Sequence, residues 1–142
     1  MNHTYKKEYA TIAEFNENDN YLHVGSYRAT VTAGDISAEG YDVPTFIGSA
    51  EFSVSARENT AVEITATIAN ALVQVETTDA FNNYFVGGAK LELTTNGGNK
   101  FDVTEQTKPL FIAPEAFVVN GTATKQPNQS GAAGVEVTLP EY

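Results

Sequence analysis

Large or apolar side chains alternate with polar ones, at every second position, over most of this chain. Tyr27-Arg28-Ala29-Thr30-Val31-Thr32-Ala33 keeps the alternation, as do Phe52-Ser53-Val54-Ser55-Ala56 and Val62-Glu63-Ile64-Thr65-Ala66-Thr67-Ile68. It returns over Ala71 to Val75, Ala89 to Leu93, Phe117 to Ala123 and Val135 to Leu139. Successive side chains of a strand point to opposite faces, so a period of two predicts sheets with one buried face.

Turn residues divide the pattern into elements. A short strand is expected around Tyr9 to Phe15, then a polar turn, Asn16-Glu17-Asn18-Asp19-Asn20. Tyr21 to Ala33 reads as a strand entered through Gly25, and Gly34 to Gly48 as a long connection broken by Gly40, Pro44 and Gly48. Ala50 to Ala56 and Ala61 to Ile68 read as a hairpin across Arg57-Glu58-Asn59-Thr60. Ala69-Asn70 interrupts the second arm before Ala71 to Thr77 resumes, which marks a bulge or a crossing between sheets. Asp79 to Phe85 is the one helical stretch, with Asp79 as its cap and Phe81 and Phe85 on one face. Ala89 to Thr95 and Lys100 to Thr104 form a hairpin around Asn96-Gly97-Gly98-Asn99. Leu110-Phe111-Ile112 is a short buried run, and Phe117 to Thr124 and Gly134 to Leu139 make a last strand pair across a loop at Gln126 to Ala133. Strand after strand, with no repeat, predicts an all-β, antiparallel β-sandwich with one short helix, as a single domain over residues 1–142.

Bulk numbers sharpen the function classes more than the fold. A chain of 142 residues suits one domain of roughly 100–150. Its 18 acidic and 8 basic residues give a formal charge of −10. That argues against nucleic acid, whose phosphates demand a basic stripe, and against anionic membrane surfaces. There is no cysteine, so disulfides and thiolate chemistry are excluded. Met1 to Lys7 is not followed by the apolar run of a signal peptide, and no run reaches the length of a membrane helix. Either the protein is cytosolic or its targeting segment lies outside this sequence.

Candidate chemistry is sparse. His3 and His23 are the only histidines, and His23 near Ser26 lacks the orienting carboxylate and the nucleophile elbow of a triad. Asn16 to Asn20 offers oxygens to calcium, but an EF-hand register puts Tyr21 and Tyr27 where Gly and Glu are required. The glycine pairs match neither dinucleotide nor P-loop spacing. No catalytic residue, metal ligand or cofactor site is expected. Tyr41, Phe46 and Ile47, placed in the long connection, either plug the open end of the sandwich or contact a ligand or partner. Phe81, Tyr84 and Phe85 are expected to cap the core. Val135, Val137 and Leu139 mark a strand that pairs within the domain or is donated to a neighbouring subunit.

The order of several short motifs resembles a known family. Val24-Gly25-Ser26-Tyr27 is followed by Pro44 to Phe52, then by Ile68-Ala69-Asn70-Ala71-Leu72-Val73-Gln74-Val75 and Asp79 to Phe85. This succession, over roughly Glu8 to Leu139, is similar to the fimbrillin-like and adhesin-type surface lipoproteins of Bacteroidales, a group that includes domains of unknown function. The resemblance implies an immunoglobulin- or transthyretin-like sandwich, exported and lipid-anchored at the outer membrane, with a role in adhesion or fimbrial assembly. It implies no catalytic residues. Family members carry a signal sequence, a lipidated cysteine and an extra first strand that have no counterpart here; a missing strand would leave an open sheet edge.

Two functions follow as expectations. The first is a non-enzymatic structural or adhesive module of the cell surface. It would act by edge-strand pairing or loop contacts on protein subunits of an assembly or on a host or glycan receptor, with oligomerisation expected. The second is a carbohydrate-binding sandwich that uses the aromatics from Tyr41 to Ile47.

Overall fold

The computed structural model describes residues 6–85, 89–125 and 136–141. In chain order the elements are α1 (Ile12–Glu17), β1 (Gly25–Ala33), β2 (Gly40–Tyr41), β3 (Phe46–Val54), β4 (Thr67–Ile68), β5 (Ala71–Val73), α2 (Asp79–Tyr84), β6 (Ala89–Thr95), β7 (Lys100–Asp102), β8 (Leu110–Ile112), β9 (Phe117–Thr124) and β10 (Glu136–Leu139). The strands form three sheets, ordered β1-β3-β4, β2-β8-β5 and β10-β9-β6-β7. The fold is all-β and antiparallel, with two short helices. The chain divides into two compact units, one of residues 1–29 and 50–63, the other of 30–49 and 64–142.

The larger unit holds a sandwich of the second and third sheets. In the third sheet, β6 pairs with β9 from Ala89↔Ala123 to Thr95↔Phe117, and with β7 through Leu93↔Phe101. Its period of two puts Ala89, Leu91, Leu93 and Thr95 on one face. Leu139, Gly121 and Leu91 lie in one row across β10, β9 and β6, and Val119, Leu93 and Phe101 in another. Leu91, Leu93 and Val103 meet Leu110 and Ile112 of β8, whose three residues are all buried at the centre of the second sheet. Ala71 and Val73 of β5 close the cluster from the same side. Each fully buried Leu or Ile contributes roughly 1.5–3 kcal/mol relative to exposure, so this is where the stability of the unit resides.

The β6–β7 turn follows its sequence. The Gly98 N–H donates to the Thr95 carbonyl and the Thr95 N–H to the Asn99 carbonyl, both at 2.9 Å, with Gly98 at φ +85°. That left-handed conformation favours glycine. Ala69-Asn70 is a crossing point: β4 before it belongs to the first sheet and β5 after it to the second. The return crossing, from β2 to β3, is tied to it. Ala69 N–H donates to the Thr45 carbonyl at 2.7 Å, and Thr45 N–H donates to Asn70 Oδ1.

The smaller unit carries the first turns of β1, the end of β3 and α1. Tyr27 and Phe52 stack with ring centroids 5.8 Å apart. No apolar residue of this unit is fully buried among the described residues. Around Tyr9 to Phe15 a helix replaces the expected strand. Thr11 Oγ1 accepts the Glu14 N–H and Glu14 Oε2 accepts the Ala10 N–H, so Thr11-x-x-Glu14 acts as a helix start. In α2 the cap is Thr78, not Asp79; its hydroxyl accepts the Phe81 N–H at 3.2 Å. Phe81 and Phe85 do share a face, at 4.7 Å. The Phe81, Tyr84 and Phe85 rings pack on one another. The hairpin expected between Ala50 and Ile68 is hydrogen-bonded as strand only at its base, Phe46↔Ile68 and Ile47↔Thr67. Residues 61–66 form no strand.

Candidate functional site

Tyr41, Phe46 and Ile47 do not sit in a loop. Tyr41 is in β2, where Gly40-Tyr41 pairs with Phe111 and Leu110 of β8. Phe46 and Ile47 open β3. The long connection is therefore two strands joined by a crossing, and the Thr45–Asn70 contacts that stitch the crossing are long-range, invisible to local turn composition. Phe46 and its cross-strand partner Ile68 are both exposed, whereas Ile47 is half-buried. The structure does not bring Tyr41 and Phe46 together in one site; they belong to different sheets.

Tyr41 borders an open hollow of about 540 Å³. Asp102 and residues 104–108, the link from β7 to β8, supply the rest of its lining. The Tyr41 hydroxyl donates to the Asp102 carbonyl at 2.9 Å, and the ring meets Phe101 edge-on at 6.5 Å. Burial, and then the nearby Asp102 charge, hold the Tyr41 phenol above its ordinary pKa. Asp102 is held below the usual carboxylate range by hydrogen bonds from the Thr104 hydroxyl and N–H, the latter at 2.9 Å. Lys108 Nζ forms an ion pair with Asp42 at 2.7 Å.

Gln106 gives this link its shape. Register would continue β5 against β8 past Pro109, which has no N–H to offer. The Gln106 amide takes over. Its Oε1 accepts the Val75 N–H at 2.7 Å, and its Nε2 donates to the carbonyls of Val73 at 2.7 Å and Lys108 at 2.8 Å. Sequence reasoning missed this segment, because a polar run between two apolar strands reads only as a loop.

Glu39 is a second polar junction that the sequence did not disclose. Its Oε2 accepts from the Thr95 hydroxyl at 2.7 Å and Asn99 Nδ2 at 2.6 Å, and its Oε1 from the Ala113 N–H at 3.0 Å. Burial alone would raise its pKa; the three donors outweigh burial and hold it below the ordinary glutamate value.

Val137 and Leu139 lie in β10, which pairs with β9 from Glu136↔Thr124 to Leu139↔Gly121 and stands at the edge of its four-stranded sheet. Both are half-buried, and Leu139 packs against the core cluster. Val135 lies outside the described residues, as do His3 and the stretch from Gln126 to Ala133. His23 is exposed, and its carbonyl accepts the Tyr27 hydroxyl at 2.9 Å. In the Asn16 to Asn20 stretch, Asn18 and Asn20 spend their amides on the Glu14, Phe15 and Asn18 carbonyls. Among the described residues no three His, Asp or Glu side chains converge as a metal site.

These features define an all-β module whose exposed chemistry is a strand edge and a shallow polar hollow beside an aromatic ring. The chain belongs to a family described as a domain of unknown function (DUF4493), whose model matches residues 1–139. No curated protein and no solved structure matches it.

Proposed function

We propose that the chain is a non-catalytic structural and adhesive module of the bacterial cell surface, of the fimbrillin-like lipoprotein type. It acts by pairing strand edges with a neighbouring chain or by contacts of its exposed aromatic residues. On this reading the native protein is exported and anchored at the outer membrane of a Bacteroidales bacterium, and its partners are subunits of a surface assembly or a host receptor.

The observation that carries the reading is β10. Among the described residues it is held by one neighbour strand, β9, and by half-buried Val137 and Leu139 on one face, of which Leu139 reaches the core cluster. An edge strand presents unpaired N–H and C=O groups to a second chain. A strand docked on one side only, through two apolar residues, is also the element least costly to exchange for the same strand of a copy. The resemblance of the motif order to that of fimbrillin-like proteins supports the same reading.

Light scattering behind size exclusion tests it, over a wide concentration range and after mild heating. Oligomers that grow with concentration and are suppressed by excess of a peptide spanning residues 134–141 are expected. Thr138→Pro, which removes an N–H from β10, should change their distribution. A strict monomer throughout overturns edge pairing, and turnover of a polysaccharide or peptide by the pure protein overturns the non-catalytic assignment.

A further inference from the structure

We propose that the hollow beside Tyr41 is a shallow binding site for an uncharged pyranose sugar, with the Tyr41 ring as platform and Glu105 and Thr107 as partners for its hydroxyls. The inference rests on the contact-based half of the adhesive reading and supplies the chemistry of its receptor.

Three observations carry it. The first is size and place: at about 540 Å³ the hollow lies within the roughly 300–1,000 Å³ of small-molecule sites, and it is open, as a site for part of a longer glycan must be. The second is a fixed frame. Tyr41 is about 37% exposed as a residue, yet its ring orientation is held by the hydroxyl bond to the Asp102 carbonyl and by the edge contact with Phe101. The link that supplies the rest of the lining is held by the Gln106 amide and by Asp102 receiving the Thr104 N–H. A rigid platform loses little entropy when a ligand settles on it. The third is unused hydrogen-bonding capacity. Among the described residues, neither the Glu105 carboxylate nor the Thr107 hydroxyl has a hydrogen-bond partner, although both line the hollow. An ionised carboxylate accepts from two hydroxyls at once, and a threonine hydroxyl both donates and accepts, which matches adjacent hydroxyls of a sugar ring.

Charge selects within that class. Lys108 is the cation on the lining, and Asp42 neutralises it at 2.7 Å. Asp102 and Glu105 then leave the lining negative, although Lys90 beside Asp102 offsets part of that charge, and the whole chain carries a formal −10. Phosphates, sialic acids and uronic acids are repelled from such a surface; an uncharged sugar is not. A cationic peptide is the competing ligand, because an ammonium also stacks on an aromatic face; the neutral sugar is favoured because its adjacent hydroxyls both donate and accept, which uses the Glu105 carboxylate and the Thr107 hydroxyl together.

The test is amide chemical-shift mapping of the full chain against neutral methyl pyranosides and their short oligosaccharides, with sialylated and uronic sugars and a lysine-rich peptide alongside. Saturable shifts confined to Tyr41 and residues 102–108 are expected with at least one neutral sugar. Glu105→Ala and Thr107→Val, which break no bond in the free protein, should each weaken binding by about tenfold or more without moving the melting temperature. No shift in that segment with any neutral sugar, shifts that map elsewhere, or a preference for the lysine-rich peptide overturns the site. Light scattering on the same samples separates the two readings. Oligomers without any sugar response sink the sugar site and leave edge pairing standing; a sugar-binding monomer does the reverse.

Discussion

In the larger unit Leu93, Leu110 and Ile112 are cut off from solvent, while in the smaller unit the stacked rings of Tyr27 and Phe52 remain half-buried. Both regions are written in the same two-residue rhythm. The difference lies in what meets the apolar face. β6 has paired neighbours on both sides, and a second sheet covers its inward leucines. In the smaller unit the alternating positions are filled largely by Ala29, Ala50 and Val54, and its described residues form no fully buried cluster. Alternation specifies that a strand has an apolar face; how deeply that face is buried depends on strand count, side-chain volume and a covering layer.

The largest loss of stability is expected at Leu93. Leu93→Ala should cost roughly 2–5 kcal/mol in a denaturant titration, through lost burial and the cavity left behind. Phe52→Ala, at a half-buried site, should cost less than half as much despite removing a larger side chain. Equal costs would mean that the smaller unit is as well packed as the larger.

Gly121→Ala should rank next, at about 1–3 kcal/mol. A methyl there would land on the Lys90 carbonyl oxygen, part of the β6 backbone that cannot swing aside. At Gly98 nothing stands in the way and only the left-handed backbone resists, so Gly98→Ala should cost about 1 kcal/mol. Glu39→Gln sharpens the picture of how the turn at residues 96–99 is held to the rest of the larger unit. Lost charge-assisted bonds should cost about 1 kcal/mol, after allowing for solvent screening at this partly exposed site. Because Glu39 titrates lower folded than unfolded, its contribution is present at neutral pH. It is lost as pH falls through its folded value. Melting temperature against pH should therefore decline less steeply in acid for Glu39→Gln than for the parent. In the smaller unit a double-mutant cycle on Tyr27 and Phe52 should give a coupling at the low end of the roughly 0.5–1.5 kcal/mol of aromatic pairs, because both rings are only half-buried.

Much of the larger unit was legible in the sequence. Asn96-Gly97-Gly98-Asn99 announced its hairpin, Leu110-Phe111-Ile112 its buried strand, and Ala69-Asn70 an interruption that could be a bulge or, as the structure has it, a change of sheet. Each is a local signal: a turn that needs a left-handed residue, an apolar run, a polar break. What escaped was set by partners far along the chain. Tyr41 and Phe46 became strand residues because β8 and β4 pair with them, and neither partner is visible from the Gly- and Pro-rich stretch around them. Residues 61–66 alternate as a strand should, yet form none. The helix at Ile12–Glu17 had a readable start in Thr11-x-x-Glu14, outweighed by the apolar spacing of Tyr9 to Phe15. The Tyr41 hollow was half legible. The ring stood out, whereas the Gln106 amide that shapes the rest of the lining works through the backbone groups of Val73, at the end of β5, and Val75, just past it, more than thirty residues away.

Hydrogen exchange of the full chain, resolved strand by strand, tests the central claim most directly, because edge exchange requires β10 to leave its sheet while the core stays folded. Amides of residues 136–139 should exchange through a partial opening well before those of β6 and β9, which exchange only on global unfolding. Protection of β10 equal to that of β6 would contradict it, since the strand would then leave only when the whole unit unfolds.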